Sequence, residues 1–196
     1  MRYIAPLLAD LANGIFATLL ALWITGVDVV WWYYLIGIMF AMLPDVDAIP
    51  ELIARRGHLA ASSEHTHDHR EYLHYPILFL IVGILIYSVS EFWGVFFLLG
   101  VSLHFLNDLY GTGWGIPLLW PVTQDRFKLF CDDDNNFSFK PRHFVRRIPH
   151  QALQTEITEH GVENWVAEVY LKVSTISVIE YTLFAIAIVL MVISLL

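Results

Sequence analysis

The apolar positions of this chain fall in long blocks rather than in alternation, at residues 4–27, 29–43, 75–89, 92–106 and 173–196. A straight crossing of the hydrocarbon core takes about 20 apolar residues, so the first and last blocks predict full spans. The three inner blocks are about 15 residues each. They either extend into their flanks or form a hairpin that crosses only partly. The pattern predicts an all-α membrane protein of about five transmembrane helices, the inner three short. The first block is too long for the apolar core of a signal peptide and is interrupted by Asp10 and Asn13, so it reads as a retained helix.

Two polar segments separate the blocks. In the second, Ile157, Val162, Trp165, Val166, Val169 and Tyr170 recur at roughly helical spacing, predicting one or two amphipathic helices against the membrane or the bundle. The chain is thus read as a membrane-embedded region at 1–121, a cytoplasmic amphipathic segment at 122–172 and a C-terminal transmembrane helix at 173–196. The run from Asp132 to Asn136 resembles a calcium loop only superficially. Phe137 stands where glycine is needed and His143 where the closing Glu belongs, so a solvated turn is the expectation.

Composition strengthens the membrane reading, since 57% of residues are hydrophobic and the mean hydropathy is +0.59, above the near-half apolar content of soluble domains. The formal net charge of −8 excludes nucleic acid as a partner, because phosphate binding needs clustered Lys and Arg. The single Cys131 can form no internal disulfide. Metal chemistry here must use His, Asp and Glu.

Charge also orients the chain. The eleven basic residues are Arg2, then Arg55, Arg56 and Arg70, then Arg126, Lys128, Lys140, Arg142, Arg146, Arg147 and Lys172, while the short turns at 27–28 and 88–91 carry only Asp28 and Glu91. By the positive-inside rule the N-terminus and both polar segments face the cytoplasm, the two turns face outward and the C-terminal helix exits to the far side. Trp31, Trp32, Tyr33 and Tyr34 then open the second helix as an interfacial belt.

Three polar clusters sit at helix ends on that face. In Pro44-Asp45-Val46-Asp47, proline ends the second helix, and two carboxylates two apart on extended backbone project to one side. They either share a cation or are acidic residues at a membrane exit. The second cluster runs from His65 to His74 before Pro76 opens the third helix. His58, His65 and His67 read as solvated, whereas His69 and His74 adjoin chain pinned at the membrane. In the third, His104 and Asp108 share a helical face, fit to ligate one ion or to pair as carboxylate and imidazole. A glycine-rich stretch, Tyr110-Gly111-Thr112-Gly113-Trp114-Gly115, follows. Asp10 and Asn13 offer a fourth wall to such a site, and Glu180 reads as structural.

The ordered series PDVD, HREYLH and HFLND followed by YGTGWGIPLLWP resembles the membrane-bound metal-dependent hydrolase family, small inner-membrane proteins distantly related to zinc-dependent phospholipase C. The resemblance covers residues 1–121 and matches at Asp45, Asp47, His69, Arg70, His74, His104 and Asp108. Where many members carry a histidine in the first helix, this chain has Asp10 and Asn13. The resemblance implies one or two divalent ions, zinc foremost, held by Asp45, Asp47, His69, His74, His104 and Asp108. Asp47 or Asp10 would serve as general base, with Arg70 holding an anionic group such as phosphate. The expected substrate is a membrane lipid or another lipid-soluble phosphoester. The rival readings are a metal-ion or small-solute transporter, which calls for polar residues through the full depth of the bilayer, and a noncatalytic scaffold whose metal only locks the helix ends.

Overall fold

The computed structural model describes residues 4–54, 70, 72–162 and 164–196. Five apolar helices form where the blocks predict them: α1 (Ile4–Thr25), α2 (Trp31–Met42), α4 (Pro76–Val89), α5 (Glu91–Tyr110) and α7 (Thr175–Leu195), with a short α3 (Ala48–Ala54) after a 3-10 turn at Pro44–Asp47. Three of them, Ala5–Thr25, Glu91–Tyr110 and Thr175–Leu195, are long and apolar enough to cross a membrane. α5 is therefore no short helix. His104, Asn107 and Asp108 lower its hydropathy without breaking its hydrogen bonds, so the helix runs 20 residues. α2 and α4 remain short, at 12 and 14 residues.

The chain gathers into two compact units, one of Met1–Pro44, Pro76–His104 and Ser177–Leu196, the other of Asp45–Tyr75 and Phe105–Ile176. In the first, α1 and α2 touch backbone to backbone. A Cβ at Gly14 would collide with the Ile38 Cα, and one at Gly37 would collide with the Gly14 carbonyl oxygen. Such small-residue contact is how helices associate in lipid, where apolar burial gives no drive of its own. Thr18 donates to the Gly14 carbonyl at 2.8 Å beside this contact. Ala12, Ile15 and Tyr34 pack on Ala187 of α7, while Ala17 and Ala21 pack on Phe96 of α5. Outward-facing residues are equally apolar, with Trp23 80% and Val89 88% exposed. That is what a lipid-facing surface requires.

The second unit departs from the all-α expectation. β1 (Arg126–Cys131) pairs antiparallel with β2 (His143–Ile148), with Lys128 opposite Arg146. β1 alternates Arg126, Lys128 inward with Phe127, Leu129 less buried, so the period is that of a strand. Only the later part of the 141–172 stretch is helical, as α6 (Leu153–His160) and a π-turn at Ala167–Leu171. Trp114, Ile148, Leu153 and Ile157 form this unit's apolar core. Arg146 clamps Glu156 with Nη2 at 2.8 and 3.0 Å from its two oxygens. Between the strands, Asp132 Oδ1 accepts the backbone N–H of Asp134 at 3.0 Å and of Asn136 at 2.8 Å in exposed chain, the solvated turn expected there.

Candidate metal centre

Pro44 stops α2, but its fixed φ starts a 3-10 turn rather than an extended segment. With three residues per turn, Asp45 and Asp47 do not project to one side as a strand would make them. They reach opposite nitrogens of one ring instead. Asp47 Oδ2 lies 3.2 Å from His74 Nδ1, and Asp45 Oδ1 lies 3.3 Å from His74 Nε2. Asp47 Oδ2 also accepts the Leu73 backbone N–H at 2.8 Å, which pins the chain entering the ring.

Asp108 comes to the same nitrogen from α5, its Oδ2 3.3 Å from His74 Nε2. Its other oxygen is held by Arg70 Nη2 at 2.6 Å, and Arg70 Nη1 donates to the Thr112 carbonyl at 3.0 Å. The His74 side chain is fully buried, with Asp47 and Asp108 at 3% and 5% side-chain exposure. Asp45, at 31%, is the open edge.

This arrangement poses an electrostatic problem that fixes its chemistry. A carboxylate can only accept, so Nδ1 must carry the proton donated to Asp47. In a neutral ring Nε2 is then a bare lone pair facing two carboxylate oxygens. Burying such a group of acceptors is costly unless a cation lies among them, either a second proton on the ring or a metal. Bonds of about 2.0–2.2 Å at tetrahedral angles put two ligand atoms about 3.3–3.6 Å apart, a range that includes the 3.3 Å separations at Nε2. Asp47 Oδ1 is also buried with no hydrogen-bond partner among the described residues. The donors therefore fit a divalent transition metal, with His74 Nε2, Asp45 and Asp108 to hold it and Asp47 fixing the tautomer from behind.

In the first unit, His104 Nδ1 donates to Asp10 Oδ1 at 2.8 Å, both residues buried. This is the carboxylate–imidazole pair that orients a metal-binding histidine and leaves Nε2 to ligate. Each of Asp45, His74 and His104 offers an atom of metal-ligating type. Asp10 thus has a partner the sequence only suggested. His69, and His58, His65 and His67, which the sequence reads as solvated, lie outside the described residues. Glu180 is buried in α7.

Sequence reasoning missed Lys128, which is wholly buried and donates from Nζ to the Gly111 carbonyl at 2.7 Å and the Gly113 carbonyl at 2.5 Å. Its signal was an inward strand position, legible only once residues 126–131 are taken as a strand. Burial, reinforced by the nearby Arg70 charge, lowers its pKa from 10.5 to about 7. A lysine whose folded pKa is depressed binds fewer protons folded than unfolded between those two values, so stability rises with pH across that window. In detergent, the thermal midpoint of the wild type is expected to rise from pH 7 to about pH 9 relative to that of Lys128→Met. Parallel pH curves for the two proteins would contradict the assignment.

Spans of this length, lipid-type helix packing and apolar outward faces define an integral membrane protein, here with a buried carboxylate–imidazole centre. The family described as YdjM inner membrane protein matches residues 9–195. The chain belongs to that family and is an inner-membrane protein. No curated protein and no solved structure matches it.

Proposed function

We propose that this protein is a membrane-bound metal-dependent hydrolase acting on a lipid-soluble phosphoester at the cytoplasmic face of the inner membrane. The observation that carries the reading is His74 Nε2, buried 3.3 Å from oxygens of both Asp45 and Asp108. Two carboxylate oxygens on one nitrogen call for positive charge at that point, which a divalent ion supplies. The resemblance adds His69 to the proposed ligands, and His104, whose ring Asp10 orients, to the residues able to bind metal.

A divalent ion in this set, zinc before magnesium given the imidazoles, would supply an acidified water and polarise a phosphoryl oxygen. The chain's own groups do the rest. Asp47 keeps the His74 ring in one tautomer from the Nδ1 side, away from the nitrogen that would face the ion. Arg70 neutralises Asp108 in the resting site and meets the anionic phosphate when substrate enters past the more open Asp45. α2 and α4 are read as two further crossings, giving five, with the polar segments on the positively charged inner side.

The test is release of a water-soluble phosphorylated headgroup from phospholipid vesicles by the purified protein with zinc, manganese or iron supplied. Release that stops with chelator and in Asp45→Asn is expected. Bound metal without turnover of any phosphoester indicates a scaffold, and metal flux into sealed vesicles indicates a carrier; either outcome removes the hydrolase reading.

A further inference from the structure

A buried lysine lies against the glycine turn whose Thr112 carbonyl receives Arg70. Lys128 is set by its strand. Phe127 and Ile116 form an antiparallel bridge, the Phe127 N–H donating to the Ile116 carbonyl at 2.9 Å. The approach is so close that a Cβ at Gly115, where φ is +69°, would collide with the Phe127 carbonyl oxygen. That contact fixes the next residue's side chain against the glycine turn, where the Gly111 and Gly113 carbonyls both accept from Lys128 Nζ. The residue between them, Thr112, supplies the carbonyl that receives Arg70. Gly113 itself packs on Arg70, with φ +86° and no room for a Cβ beside Nη1.

We propose that Lys128 is a positioning residue of the metal centre. It clamps the 111–113 turn from both sides, so that the Thr112 carbonyl holds Arg70 on one Asp108 oxygen and the other oxygen faces His74. This deepens the reading above, on which its metal-binding consequence rests. A buried lysine that merely fills space could be replaced by the near-isosteric methionine without altering the centre. One that aims Asp108 could not, since the turn loses both donors that hold its carbonyls.

The experiment is hydrogen–deuterium exchange on the full chain in detergent, with zinc affinity measured on the same samples, for wild type and Lys128→Met. Amides at 109–116 and 72–74 are expected to exchange about tenfold or more faster in the variant while α1 and α7 keep their wild-type rates. Zinc affinity should fall about 10–100-fold, as on losing an outer-shell partner. Unchanged exchange at 109–116, or a uniform rise along the chain, overturns the proposal, as does faster local exchange with wild-type zinc affinity. A wild type that binds no zinc overturns the functional reading and leaves exchange at 109–116 and 72–74 to decide the role of Lys128. Should Lys128→Met not fold, Lys128→Gln, which keeps N–H donors on a shorter stem, is read by the same two measurements.

Discussion

Detergent-purified wild-type protein is expected to carry about one or two equivalents of a divalent transition metal, and His74→Ala to carry almost none, by elemental mass spectrometry. The size of the effect follows from where the ring sits. His74 is the one imidazole among the described residues touched by Asp45, Asp47 and Asp108 together, so its removal takes away both a ligand and the donor that separates three acidic side chains. Affinity should drop by more than about 100-fold, the upper end of what an outer-shell loss costs. Asp47→Asn gives the contrast. The carboxamide oxygen that this substitution introduces can still accept from Nδ1, so if Asp47 orients the ring rather than ligating, the loss stays within about 10–100-fold. Equal, total loss in both variants would make Asp47 a ligand. Metal retained in His74→Ala would remove Nε2 from the centre altogether.

The ion should also compete with a proton for Nε2. Metal retention is therefore expected to weaken on acidification, each ion that leaves being replaced by ring protonation.

How far the sequence disclosed this arrangement depends on which solvent governs each residue. Lipid forces uninterrupted apolar runs, so the five helices were visible as blocks and only their ends were misjudged. α5 was cut short at Leu106 because His104, Asn107 and Asp108 lower the hydropathy, although a helix interior tolerates polar side chains that find partners. The acidic and imidazole residues were recognisable by type and by helical spacing. Their roles were not. Nothing local distinguishes Asp45 from Asp47, and the difference between facing Nε2 and pinning Nδ1 arises from the 3-10 turn and from the docking of Leu73 on Asp47.

The hairpin was missed for a related reason. Basic residues at inward strand positions, Arg126 and Lys128, disguise the period-2 pattern that burial reveals. Asp125 was likewise silent in the sequence. The His150 backbone N–H and the Arg147 guanidinium beside it hold its carboxyl below the usual range, the first through a bond made 25 residues away at 2.9 Å. Carbonyl oxygens such as that of Thr112 carry no sequence signal at all, yet here one of them fixes Arg70.

Arg70→Ala should produce the largest loss of stability, and the loss should depend on metal. Arg70 Nη2 stands 2.6 Å from Asp108 Oδ1 in a site where the aspartate side chain is 5% exposed. Stripping the guanidinium leaves a buried carboxylate without that counter-charge, typically a cost of about 3–5 kcal/mol. A divalent ion bound between His74 and Asp108 offsets part of this, because it brings positive charge to the same carboxylate. The two cations are thus coupled through Asp108, and the variant and the chelator form the two sides of a thermodynamic cycle. Chelator is expected to lower the thermal midpoint of Arg70→Ala by more than it lowers that of wild type, and added zinc to restore more of it. Equal chelator shifts in the two proteins would mean that Asp108 does not face the ion and serves only as the anchor of Arg70.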